Sequence, residues 1–145
     1  MGAWGYSPYQ SDEGMDYFDE FLDSENKIIY LEDKMDNLLQ IPFEEVGYHA
    51  DDALISAEMI VGSKGYLSQF FYGEHYFEDR EKPDFEELGK MVNKDLIEKA
   101  IKAVDRVLLY EKDNHEEWHE EDFGDREKEV LTIKARLELS LTSFH

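Results

Sequence analysis

NKDLIEKAIKAVDRVLLYEK, residues 93–112, decides the fold class. Leu96, Ile97, Ala100, Ile101, Val104, Val107 and Leu108 recur at the helical repeat and share one face. Asp95 with Lys99 and Glu98 with Lys102 set opposite charges four residues apart, worth about 0.2–0.5 kcal/mol per pair. The spacing predicts a helix over 93–112 that buries one stripe. Residues 93–110 hold four bases and three acids, a nearly balanced charge.

The same period returns on both sides. Asp84 is a suitable cap for a short helix that runs to Met91. Residues 125–141 read as the last helix, with Val130, Ile133 and Leu137 inward. Upstream, Ala53, Leu54, Ala57, Ile60 and Val61 give a face of mostly small residues that allows close packing. That helix is expected to start at Asp51 or Asp52 and to end at Gly62 or Gly65. Residues 24–40 form another, with Ile28, Leu31, Met35 and Leu38 on its apolar side, and Pro42 stops it. Residues 43–48 read as a briefly extended connector.

A first helix begins after Ser11 or Asp12. Met15, Phe18 and Leu22 form its apolar face, and Asp12, Asp16, Asp19 and Asp23 form a carboxylate stripe. Before it lies a turn-rich aromatic arm with Trp4, Tyr6 and Tyr9. Residues 65–83 are the least helical stretch and are rich in Phe and Tyr. No segment alternates apolar and polar residues long enough to demand a sheet. The expectation is an all-α fold: a compact bundle of five to six helices with an N-terminal aromatic arm, one domain over 1–145.

Charge narrows the range of partners. The 145 residues hold 36 acids and 15 bases, and 15 − 36 gives −21. Such a surface repels nucleic acid and anionic membranes and attracts basic proteins. The charge is uneven: residues 1–26 carry seven acids and no base, and residues 111–125 carry eight acids and one Lys. Basic patches with interleaved aromatics, needed to neutralise phosphates, are missing, so direct nucleic-acid binding is not expected. The chain has no Cys, which excludes disulfides and thiolate metal sites. No run approaches the roughly 18 apolar residues that span a bilayer. Residues 1–10 lack the basic and apolar regions of a signal peptide, so the cytoplasm is the expected location.

One motif bears on catalysis. His115, Glu116 and His119 fit H-E-x-x-H, in which two His one helical turn apart hold zinc and the Glu acts as general base. Glu138 would be a later carboxylate ligand. Zincin helices are walled by apolar core, whereas Lys112, Asp113 and Asn114 precede this match and Glu120, Glu121 and Asp122 follow it. The match is therefore read as accidental, with no cofactor or metal expected. His49 beside Asp51 and Asp52, and His75 beside Glu74, read as cap or surface groups. Gly62–Gly65 lacks the Walker spacing, and residues 23–27 lack the Gly and terminal Glu of a calcium loop.

The opening Met1, Gly2, Ala3, Trp4, Gly5, followed by Pro8 and the acidic stretch to Phe18, resembles a bacterial family of small proteins that begin Met-Gly-Ala-Trp-Gly. Residues 53–60 resemble its Ala-rich second block, and Trp118 with Arg136 and Leu137 resembles its C-terminal block. The family is a domain-of-unknown-function family. The resemblance implies a compact α-rich domain and carries over no catalytic residue.

Together these readings favour a non-enzymatic acidic inhibitor or immunity-type protein. Its carboxylates would enter the basic cleft of a nuclease, restriction enzyme, CRISPR effector or toxin, as a mimic of nucleic acid. Carboxylates one turn apart lie about 5–6 Å from each other, comparable with phosphates along a strand. Asp12, Asp16, Asp19, Glu20 and Asp23 form the first candidate cluster. Glu116, Glu117, Glu120, Glu121 and Asp122 form the second, with Trp118 as an aromatic anchor. Two other readings are a housekeeping helical domain whose acidity only confers solubility, and a zinc hydrolase using His115, Glu116 and His119.

Overall fold

A computed structural model describes residues 17, 20–21, 23–65, 84–114, 116 and 120–142, without the side chains of 120 and 121. The chain is all-α, with no strand among the described residues. Five α-helices follow in order among the described residues: α1 (Lys27–Gln40), α2 (Val46–Ser63), α3 (Phe85–Met91), α4 (Lys94–Asp113) and α5 (Glu120–Thr142). A 3-10 turn, Phe43–Glu45, precedes α2, and residues 17, 20, 21 and 23 are also helical.

The caps are local and conventional. Asn26, Asp84 and Asn93 each accept a hydrogen bond from the backbone N–H three residues on, at 3.1, 3.0 and 2.8 Å. Each satisfies one donor orphaned at a helix start. At the far end of α1 the Arg106 guanidinium donates to the Leu38 carbonyl and, at 2.7 Å, to that of Ile41. A side chain of α4 thus closes α1.

Helix α2 is the centre. It packs against α1, α3, α4 and α5, while α4 also packs against α1 and α5. From Ala53 to Gly62 every residue is buried, which is the pattern of a helix surrounded by others. Burial therefore extends right round the helix, beyond the expected small-residue face, to Ile55, Glu58 and Met59. Leu31, Met35 and Leu38 of α1 enter the same core, as do Ile97, Val104 and Val107 of α4 and Val130, Ile133 and Leu137 of α5.

Two boundaries differ from expectation. Helix α2 starts at Val46, five residues before Asp51, and 43–45 is a 3-10 turn rather than an extended connector. Pro42 stops α1 but also leads into the turn, and Val46 is fully buried, which fixes the extra turn in place. Helix α5 starts at Glu120 rather than at residue 125. Its first turn is acidic, which suits the positive end of the helix dipole. Gly124 is tolerated within it.

At its other end α2 stops where Gly65 adopts φ +95, the left-handed backbone that favours glycine. There α3 approaches closely: a Cβ at Gly89 would run into the Ser63 backbone carbonyl, and Lys64 Nζ donates to the Gly89 carbonyl at 3.0 Å.

The arm over 1–10, the carboxylates of Asp12, Asp16 and Asp19, and the aromatic stretch 66–77 lie outside the described residues. In the first helix the inward residues described are Tyr17 and Phe21, at 1% and 2% exposure.

Candidate functional site: carboxylates around the first turns of helix α2

Asp51 and Asp52, adjacent in α2, point to different neighbours. Asp52 faces α1, where its carboxylate lies 3.4 Å from Lys34 Nζ. Burial raises its carboxyl above the usual range, against the pull of Lys34. Beside it, Tyr30 packs edge-on against Tyr17 and Phe21, at 5.3 and 5.7 Å between centroids. The Tyr30 hydroxyl donates to Glu20 Oε2 at 3.0 Å. Its phenol is pushed up by burial first, then by the bond to Glu20 and the charges of Glu20 and Asp52.

The Ser56 hydroxyl donates to the Asp52 carbonyl at 2.9 Å, so the Tyr17 hydroxyl, 2.7 Å from Ser56 Oγ, is the donor to it. Burial holds the Tyr17 phenol well above its ordinary value.

Asp51 faces α5. Arg126 lies 2% exposed, with its Nη2 2.9 Å from Asp51 Oδ1 and 2.9 Å from Glu111 Oε2. Its Nε bonds both Glu111 oxygens, at 3.0 and 3.2 Å. Burial opposes the guanidinium charge, but Glu111 and Asp51 outweigh it and keep the pKa above its usual value. Three helices thus meet at one cation, held in the fork geometry that suits Arg.

The described candidates divide as follows. Glu20 and Asp23 are exposed, and Glu20 lies close enough to Asp52 to raise its carboxyl. Glu116 is exposed and Asp122 is half-buried. Glu120 and Glu121 stand in the first turn of α5, without described side chains. Asp12, Asp16, Asp19, Glu117, Trp118, His115 and His119 fall outside the described residues. Among the described residues, no group of three or more His, Asp or Glu is arranged to hold a metal ion. No described helix is long and apolar enough to cross a membrane.

Sequence reasoning missed Arg126, Glu111 and the division between Asp51 and Asp52. One signal was available. Arg126 precedes Val130, Ile133 and Leu137 by 4, 7 and 11 residues, so the period puts a base on the buried seam.

Most of the described bases bond to acids or backbone carbonyls of the same chain, and Lys90, Lys94 and Lys112 do so at the surface. Lys99 reaches Asp36 at 2.8 Å and Glu32 at 3.6 Å, and Lys134 reaches Asp105 at 2.7 Å. Lys27 donates to the Phe21 and Ser24 carbonyls, at 2.8 and 2.7 Å. Asp23, Glu25, Asp33, Glu44, Glu45 and Glu116 meanwhile stand exposed.

Fold and charge together define an acidic helical domain whose cations tie its helices to one another. The chain belongs to the family described as Domain of unknown function (DUF4259), whose model matches residues 2–129. The match includes Asp51, Glu111 and Arg126 and ends one residue before Val130. Comparison with curated proteins and with solved structures finds no match.

Proposed function

We propose that this chain is a non-enzymatic protein-binding module, an inhibitor or immunity-type protein that occupies a basic surface on its partner. The partner is a nuclease, a toxin or another nucleic-acid-binding protein, and the carboxylates take the place of phosphates. The observation that carries this reading is the contrast between engaged cations and exposed carboxylates in a chain of charge −21. Cations held between helices leave the surplus negative charge outward, where it steers a basic partner into contact.

Glu20 and Asp23 belong to one side of the interface, and Glu116, Glu120, Glu121 and Asp122 to the other. Asp12, Asp16, Asp19 and Glu117 extend these clusters, with Trp118 as the aromatic anchor. Supporting this arrangement, Glu20 lies near Asp52 while Arg126 draws the start of α5 to the neighbouring Asp51. The test reverses charge in each cluster, for example Glu20→Lys with Asp23→Lys, and Glu120→Lys with Glu121→Lys. Binding to a captured basic partner is expected to weaken and to lose part of its salt dependence. Unchanged affinity and salt slope in the combined variant would refute the proposal.

A further inference from the structure

The two halves of α5 are held by different forces. From Val130 to Leu137 the seam is apolar: Val130, Ile133 and Leu137 are fully buried. Between residues 122 and 129, Arg126 is the one buried side chain among the described residues, with Phe123 half-buried. Gly124 lowers helix propensity in this half by about 1 kcal/mol relative to Ala. We propose that Glu111, Arg126 and Asp51 form a latch that holds the first turns of α5 against α4 and α2, and that this half opens separately from the apolar half.

The physical basis is the asymmetry of a buried ion cluster. Intact, its charges and hydrogen bonds offset desolvation; with one partner gone, the remaining charge stays buried without compensation. Local opening of the first turns relieves that penalty by returning the group to water, while the apolar seam stays in place. Salt screens a buried cluster poorly, so the latch stays closed under conditions that weaken the more exposed pair Lys112–Glu127, at 3.9 Å. For the proposed function, a closed latch fixes the start of α5, which carries Glu120, Glu121 and Asp122. The latch itself stands on geometry alone and is tested without a partner.

Hydrogen exchange read by mass spectrometry on the full chain is the test. In Arg126→Met, exchange over 120–129 is expected to accelerate by about tenfold or more. Exchange over 133–142 and over 53–62 keeps its native rate. Asp51→Asn, which leaves the two-pronged Glu111 contact, gives a smaller rise in the same segment and remains decisive if Arg126→Met does not fold. Native exchange over 120–129 in either variant, or an equal rise along the whole chain in Asp51→Asn, would overturn the latch.

Discussion

The two halves of α2 belong to one continuous helix, yet they are surrounded by different chemistry. From Ala53 to Gly62 the helix is buried on every side. From Val46 to Asp52 only Val46 and Ala50 are buried, Tyr48 is 72% exposed, and the two carboxylates reach Lys34 and Arg126. The buried half anchors the bundle; the other half distributes charge. Substitutions in the first are therefore expected to change stability, and those in the second to change the surface at a smaller cost in stability.

The largest effect is expected at Leu54. Leu54→Ala leaves a cavity at a fully buried position and is expected to lower stability by about 2–5 kcal/mol in urea unfolding. A loss well under that range would mean the centre of the bundle is looser than the burial implies. Gly89→Ala comes next, because its new Cβ meets backbone rather than a side chain that can swing away. A loss of about 1–3 kcal/mol is expected by the same measurement.

Tyr17→Phe is smaller, about 1 kcal/mol at neutral pH, for the bond to Ser56. Its pH dependence has a definite sign. The folded phenol titrates well above its unfolded value, so the contribution is intact below about pH 10 and is lost as pH rises beyond it. The gap between wild type and Tyr17→Phe is therefore expected to narrow above about pH 10 in pH-dependent thermal unfolding. A widening gap would contradict the burial of that hydroxyl. Lys34→Ala is the mildest, under about 1 kcal/mol, because its pair with Asp52 is partly exposed. The difference is expected to shrink in high salt.

What the sequence made legible follows the same division. Helix α4 was expected over 93–112 and runs Lys94–Asp113, and the cap at Asp84 and the end at Met91 are as read. These helices carry their own signals, an Asn or Asp cap and a clear apolar stripe. The early start of α2 was hidden, because Pro42 and Gly47 look like breakers and only tertiary burial of Val46 selects helix there. The start of α5 was hidden for a related reason: its first turns are acidic and interrupted by Gly124, with no apolar period to follow. Arg126 went unnoticed just past the acidic run 111–125, because charge usually means exposure. Its burial depends on Asp51, 75 residues away, a pairing that periodicity does not encode. The acidic excess was legible as a number, and what the fold adds is where the compensating cations go.

The most direct test of the central claim is competition on a captured partner. The full chain is immobilised, a basic protein retained from lysate is identified and purified, and its binding is measured against duplex DNA over a range of salt. The account predicts that DNA displaces the partner and that affinity falls steeply with salt. It also predicts that reversing charge in both acidic clusters removes most of the binding. A partner that binds this chain and DNA simultaneously, or binds the charge-reversed chain as tightly as the native one, would contradict it.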